Sequence, residues 1–234
     1  MRNLFGLITT AAIFAGFGVP SHAVTIQGIE FAGASSFADS VVSYTPGSGF
    51  IGSPLCQDQN QAIGLPDFSD LGNCVGDAAA SQNGSGYVSL GGGGTLVLQF
   101  TDNFLTTSGD NALDLYIFEI GEVVEGMFVA IRTMLGDWID VGSIGGATAG
   151  IDIDGVAGVV AGEQYSFVRL IDDNDGSSGP SVFVGADIDA VGAISSIAVP
   201  VPGGLPLMSG AFLLIGFLGL RKGQDKARQP MSRR

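Results

Sequence analysis

Positive charge and histidine are what this sequence has least of. Arg132 and Arg169 are the only cationic residues between positions 24 and 220, a stretch that also holds 22 acidic residues. Its formal charge of −20 repels phosphate backbones, which excludes nucleic acid as a partner. The only histidine, His22, lies at a predicted signal-peptide cleavage site. An exported chain without histidine has no Ser-His-Asp or Cys-His catalytic group and no zinc site of the usual kind.

Charge of either sign is scarce, and so is any fibrous repeat. Charged residues make up 14% of the 234 residues and hydrophobic residues 46%, which excludes intrinsic disorder. The 38 glycines follow no G-X-Y period, which excludes collagen. The length predicts one domain of about 150–200 residues with a sizeable core.

The N-terminal segment has the layout of a secretory signal peptide. Arg2 is followed by an apolar run and then by the small-residue site Ser21-His22-Ala23. This pattern predicts cleavage after Ala23. A retained N-terminal anchor helix is the alternative.

The C-terminal segment has the layout of a membrane span. No charge occurs from Ala190 to Leu220, and six Lys and Arg residues follow. Sixteen to twenty apolar residues with a basic tail are able to cross a bilayer as a helix, with the tail in the cytoplasm. A buried core helix is the alternative.

The junction before this span carries a specific resemblance. The run Val199-Pro200-Val201-Pro202-Gly203, the apolar segment after it and the pair Arg221-Lys222 resemble a PEP-CTERM sorting signal of the VPLPA type. Val201 replaces the usual Leu of that variant and Gly203 the usual Ala. The resemblance covers about 25 residues at the C-terminal end.

The resemblance implies a route and a destination. In that family an exosortase-type membrane protease of Gram-negative bacteria cuts near the Pro motif, after signal peptidase has acted at the other end. An inner-membrane intermediate is then released to the cell surface or the extracellular matrix. The expected organisation is a signal peptide (1–23), an exported domain (24–198), a Pro motif with a transmembrane sorting helix (199–220) and a basic cytoplasmic tail (221–234). A permanently anchored single-pass protein is the alternative.

The exported domain is predicted to be all-β. Short alternating or β-branched runs are separated by Gly, Asp, Asn and Ser, without a convincing helical period. The predicted strands are Val24–Phe31, Asp39–Tyr44, Tyr87–Leu90, Thr95–Phe100, Asp114–Ile120, Met127–Thr133, Trp138–Val141, Ile151–Asp154, Tyr165–Ile171, Val182–Val184 and Ile188–Ala198. Such a series predicts an antiparallel β-sandwich or jelly roll. Gly91–Gly94 lacks the Lys-Ser/Thr of a phosphate loop and is predicted to be a flexible turn.

A second resemblance concerns the same domain. The segments Ala62–Asp67, Asp114–Glu119 and Ala186–Val191 are similar to bacterial cell-surface modules that pair an ALGxPD-like loop with a DLxVFE strand and a terminal DxDAV strand. The resemblance implies a galactose-binding-like jelly roll and a surface location, without naming a ligand.

The chain has only two cysteines, Cys56 and Cys74, which lie 18 positions apart. In an exported protein such a pair predicts a structural disulfide. In the chain-entropy model it would stabilise the fold by about 3 kcal/mol. The spacing is not that of a redox-active CxxC motif.

Clustered carboxylates favour calcium as the cofactor, since calcium takes six to eight oxygen ligands. The loop of Asp172, Asp173, Asn174 and Asp175 places three carboxylates and an amide in four positions, followed by Gly176. Asp187 with Asp189, and Asp152 with Asp154, are each expected to lie on one strand face because side chains alternate. Solvated turn and surface residues are the alternative reading of all three sets.

These observations predict a non-catalytic surface or matrix protein with a binding or structural role, with polysaccharide as a partner. The alternative activity is a carboxylate-dependent carbohydrate-active enzyme, since a glycosidase needs only two acidic side chains. Acidic residues that face each other in a cleft would favour the enzyme. Acids spread over loops would favour the binding protein.

Overall fold

The computed structural model describes residues 22–51, 56–67, 86–120, 124–146, 149–175 and 184–199. Within these ranges the chain forms short β-strands and two single-turn 3₁₀ segments, Ala34–Ser36 and Gln59–Ala62. No helix in the described ranges has the length and apolar character needed to cross a bilayer. The segments predicted to be a signal peptide and a sorting helix lie outside the described residues, apart from His22, Ala23 and Val199.

The strands are short and follow one another along the chain. In order they are β1 Val24–Ile26, β2 Ile29–Phe31, β3 Ser40–Thr45, β4 Val88–Ser89, β5 Thr95–Gln99, β6 Asn103–Leu105, β7 Leu115–Glu119, β8 Val124–Arg132, β9 Ile139–Gly146, β10 Gly150–Ile151, β11 Phe167–Asp172, β12 Asp187–Ala193 and β13 Ser196–Ala198.

Two larger sheets and two small pairs contain these strands. One sheet has the order β10-β7-β12-β4, the other has the order β3-β5-β11-β8-β9, and β1-β2 and β6-β13 pair separately. The pairings within them are antiparallel. The prediction of an antiparallel all-β domain is therefore confirmed.

The core lies where the two larger sheets share one hydrophobic cluster. Leu96 and Leu98 of β5 belong to this cluster, together with Leu115 and Ile117 of β7 in the other sheet. Val97, which lies between Leu96 and Leu98, is not part of this cluster and faces away from it, as the two-residue period of a strand requires. Fully burying one such leucine contributes about 1.5–3 kcal/mol, so this alternation drives the two sheets together.

Several strand predictions were wrong, and most of the predicted strand Val182–Val184 lies outside the described residues. The segment Val24–Phe31 is a hairpin rather than one strand, because Gln27 and Gly28 have φ values of 50° and 81° and form a two-residue turn. The predicted strand Ile188–Ala198 is interrupted after Ala193. Strand β6 was missed because three residues are too few to show a period.

The glycine-rich segment Gly91–Gly94 is a turn whose amide groups all have partners. The Gly91 amide donates to Val184, Gly92 to Ser48 and Gly94 to Gly91, while Gly93 donates to the Asp172 carboxylate. A phosphate loop needs these N–H groups free to face an anion. The turn was correctly predicted, and its amides hold neighbouring segments together.

Candidate metal centre

Three aspartates from two separate segments meet at one edge of the four-stranded sheet. Asp114 directly precedes β7, and Asp152 and Asp154 directly follow β10. Ile151 of β10 pairs with Leu115 of β7, so the pairing brings the segments together. One carboxylate oxygen from each aspartate lies within 4.8 Å of the other two. We call this group the aspartate triad.

Asp114 is the buried member of the triad. Its carboxylate is fully shielded from solvent and accepts hydrogen bonds from the Ser108 amide at 2.7 Å and the Ile153 amide at 3.0 Å. Burial raises the pKa of Asp114, although these hydrogen bonds and one from Ser195 act in the opposite direction. A nearby cation would offset the cost of keeping this buried group ionised.

The other two members are oriented by the same loops. Asp154 Oδ2 accepts from the Ser108 hydroxyl at 2.9 Å and from the Gly109 amide at 2.8 Å. Asp152 Oδ1 accepts from the Asp154 amide at 2.8 Å. A carboxylate has about four lone-pair positions, so each aspartate retains oxygen lone pairs for a cation. Three hard oxygen donors with fixed directions suit calcium better than a softer metal.

The sequence identified only part of this group. Asp152 and Asp154 were recognised as a carboxylate pair, whereas Asp114 was not assigned a role. No local pattern connects Asp114 to them, because the contact depends on the pairing of β7 with β10. The one available signal was an aspartate at the start of a predicted strand.

The first residue of the loop predicted to bind calcium is a buried aspartate that accepts hydrogen bonds from backbone amides. Asp172 is 4% exposed, and it accepts from the Gly93 amide at 3.0 Å, the Asn174 amide at 2.9 Å and the Ala186 amide at 2.9 Å. Its carboxylate therefore braces three backbone segments. Asn174 has a φ of 62°, which the Asx-type turn at this loop accommodates.

The next two acidic residues of the loop face an open cleft. Asp173 Oδ1 accepts from the Asp175 amide at 2.9 Å. Both aspartates line a cleft of about 540 Å³, whose other walls include Gly126 and Ser143. The glycine and serine residues after Asp175 that complete the predicted loop lie outside the described residues. Calcium binding at this loop stays a prediction.

Asp187 and Asp189, which were predicted to lie on one strand face, contact different partners. A β-bulge interrupts the register between Ile188 and Ala190. The Ser89 hydroxyl donates to Asp187, whereas Asp189 is 4% exposed and accepts from the Asp67 amide at 3.3 Å. Within the described ranges, the aspartate triad is the group in which three potential ligand atoms come within 4.8 Å of one another.

A second acidic group was missed by the sequence reasoning. Burial, with a smaller contribution from the charge of Glu125, raises the pKa of Glu119 to about 7 and that of Asp187 to about 7. The Asp187 amide donates to Glu119 Oε1 at 3.5 Å. Glu119 Oε2 is buried without a hydrogen-bond partner in the described part of the chain. Glu119 stands at the end of β7, where no sequence pattern distinguished it from a solvated residue.

The remaining predicted site residues are only partly described. Cys56 is buried and is not a free cysteine, and Cys74 lies outside the described residues, so their pairing stays a prediction. Ala23 is exposed directly before β1. The Val199 amide donates to the Asp102 carbonyl at 2.8 Å. The other sorting residues, Pro200, Val201, Pro202, Gly203, Arg221 and Lys222, lie outside the described residues.

Comparison with known proteins adds no relative, since neither the protein-family models nor the curated proteins searched include a match to this sequence.

Proposed function

We propose that this chain is an exported, non-catalytic protein of the cell surface or extracellular matrix, with a binding or structural role and a calcium-stabilised β-domain. The aspartate triad is the observation that carries the proposal, because it joins two loops of an acidic domain through three oxygen ligands. The signal-peptide pattern and the PEP-CTERM-like C-terminal segment supply the route of export. The destination is the surface or matrix of a Gram-negative bacterium.

The finer fold that we propose is a galactose-binding-like jelly roll. Two antiparallel sheets with one common core support it, as do the positions of the three segments that resemble surface modules. Asp114–Glu119 comprises β7 and the residue before it, and Ala186–Val191 falls largely on β12, so two of those segments form neighbouring strands.

A carboxylate-dependent carbohydrate-active enzyme is the second candidate. The Glu119–Asp187 pair favours it, because glycoside hydrolysis needs two neighbouring carboxyl groups, of which the general acid has a raised pKa. Neither residue lines the cleft beside Asp173 or the smaller one beside β3, so the binding protein is ranked first. Release of reducing ends from polysaccharides, lost in Glu119→Gln, would reverse this ranking.

Cell fractionation followed by intact-mass measurement tests the export route. We expect the mature protein in the surface or matrix fraction, beginning at Val24 and lacking everything after about Pro202. A permanently anchored protein would instead retain the basic tail and remain in the inner membrane. Recovery of the uncleaved chain in the cytoplasm would contradict the proposal.

Calcium should raise the melting temperature of the full-length protein. At a concentration five times Kd, calcium binding stabilises the folded state by about 1 kcal/mol, which corresponds to roughly 2–4 °C for a domain of this size. Asp154→Asn keeps an oxygen for the Gly109 amide but removes a charged ligand, so the calcium-dependent shift should be lost. Asp137→Asn is the matched control, since Asp137 is exposed on another loop.

Two results would contradict a calcium site at the triad. One is the absence of any melting shift at millimolar calcium. The other is a shift that survives in Asp154→Asn, because the ion would then bind elsewhere on this acidic domain.

A further inference from the structure

The two cationic residues of the β-domain contact the same aromatic side chain. The guanidinium carbon of Arg132 lies 4.6 Å from the centroid of a Trp138 ring and 4.5 Å from that of Phe167. The guanidinium carbon of Arg169 also lies 4.6 Å from a Trp138 ring centroid. The antiparallel pairing of β11 with β8 places Phe167 opposite Arg132, which explains how the two arginines come together.

This group lies on the outer face of the five-stranded sheet. Val129 and Ile131 of β8 belong to the shared core, so Phe128 and Arg132 at the alternate positions face outward. Phe128 is 56% exposed, and Ile171 of β11 lies opposite it. Four residues of strand separate Phe128 from Arg132, a distance of about 13 Å. We call this surface, defined by Phe128, Arg132, Trp138 and Arg169, the arginine–tryptophan face.

Neither arginine is neutralised by a strong ion pair in the described structure. Arg169 Nη2 lies 3.6 Å from Asp140 Oδ1, but the Asp140 side chain is 87% exposed, and an ion pair of that kind is weak and screened by solvent. The Nε atoms of both arginines are buried without a hydrogen-bond partner in the described ranges. Contact with aromatic rings restricts both guanidinium groups, which leaves their remaining donors available to a planar oxyanion.

We propose that the arginine–tryptophan face binds a carboxylate-bearing polysaccharide. Uronate carboxylates accept hydrogen bonds from Arg132 and Arg169, and a neighbouring sugar ring packs on the exposed Phe128. This inference rests on the proposed surface or matrix role and deepens it by naming a ligand class and a site.

Shape favours this ligand over other anions. The formal charge of −20 between positions 24 and 220 disfavours every polyanion, so binding depends on the local contacts at this face. A polyuronate has one carboxylate per sugar and an apolar ring face between them. Arg132 lies about 13 Å from Phe128 along β8, and Arg169, opposite Ala130, lies closer to Phe128. These spacings match that alternation over a short run of sugars.

The test measures binding of polygalacturonate to the full-length protein in the presence of EDTA, which prevents calcium from bridging carboxylates. Arg132→Gln and Arg169→Gln should each weaken binding about tenfold, as expected for loss of one charge-assisted contact. Phe128→Ala should weaken it less. Asn60→Asp, exposed beside β3 at the other edge of the sheet, makes the same change in net charge and should leave binding unaltered.

A second variant keeps the test decisive if an arginine substitution destabilises the fold. Asp140→Asn removes the carboxylate beside Arg169 without touching the core, so it should strengthen polygalacturonate binding. Equal retention of a neutral glucan would overturn the proposal. Polygalacturonate binding that is unchanged in both arginine variants would also overturn it.

A lipid surface is the competing occupant, because Met134 and Leu135 are exposed at the turn between β8 and β9. Retention on phosphatidylglycerol vesicles, with none on polygalacturonate, would overturn the polysaccharide proposal. The fractionation and mass measurements test the proposed function. The dependence of polygalacturonate binding on the two arginines tests this inference separately.

Discussion

Raising the pH from 5 to 8 should lower the free energy of unfolding of this protein by about 3 kcal/mol. Burial raises the pKa of Glu119 and of Asp187 to about 7, well above their values of 4.5 and 3.8 in an unfolded chain. Between those limits the folded state binds more protons than the unfolded state, so stability falls as the pH rises. Both groups retain some solvent contact, which keeps the effect below the full conversion of the shifts.

Denaturant unfolding at pH 5, 6.5 and 8, in EDTA, measures this effect. Glu119→Gln places a neutral amide where the carboxyl group is costly to ionise, so it should reduce the pH dependence by about half and stabilise the protein at pH 8. Glu163→Gln removes one charge from an exposed loop and is the matched control.

The outcome distinguishes two roles for the Glu119–Asp187 pair. A pH dependence that is roughly halved in Glu119→Gln means that Glu119 takes up a proton in the folded state, with the remainder due to Asp187. Equal stability at pH 5 and pH 8, or the same slope in Glu119→Gln as in the unaltered protein, would contradict this account.

Replacing Asp114 by alanine should destabilise the protein by about 3 kcal/mol even without calcium. The carboxylate is fully buried and accepts from the amides of Ser108 and Ile153. Each buried N–H left without an acceptor costs about 1–3 kcal/mol. Because the two amides belong to different loops, the substitution removes one of the links between the segment before β7 and the segment after β10.

Urea unfolding in EDTA, with Asp110→Ala as control, tests this prediction. Asp110 is exposed in the same loop and accepts only a local bond from the Ala112 amide at 2.8 Å, so its loss should cost less than about 1 kcal/mol. Asp114→Asn should fall between the two, since one of its side-chain groups becomes a donor facing another donor. Equal effects of Asp110→Ala and Asp114→Ala would mean that Asp114 has only a local role.

The two predictions concern opposite ends of one strand. Asp114 immediately precedes β7 and Glu119 ends it, and both carry carboxyl groups whose pKa is raised by burial. At the first end three aspartates gather with oxygens directed by backbone amides. At the other end two carboxyl groups share a site with a hydroxyl donor from Ser89 to Asp187. We propose that a cation offsets the charge at the first end, and we expect protonation to offset it at the second.

Strand prediction succeeded where a short hydrophobic run is bounded by polar residues. In Thr95–Gln99 the buried run Leu96-Val97-Leu98 identified β5 to within one residue. It failed in Val24–Phe31, where hydrophobic residues on both sides of Gln27-Gly28 read as one continuous strand. A two-residue turn adds too little polar sequence to interrupt such a pattern.

Residue types alone determined that this protein has an acidic stretch with two cations and no histidine between positions 24 and 220, and they predicted strands that are antiparallel and short. Charge and histidine content are sums over residues, and the strands follow from a two-residue period within each segment. Only the tertiary structure decided that Asp114 joins Asp152 and Asp154, and that Arg132 and Arg169 meet at Trp138. These groupings depend on which strands pair and in what register, and that choice is made by burial of the whole core rather than by any segment within it.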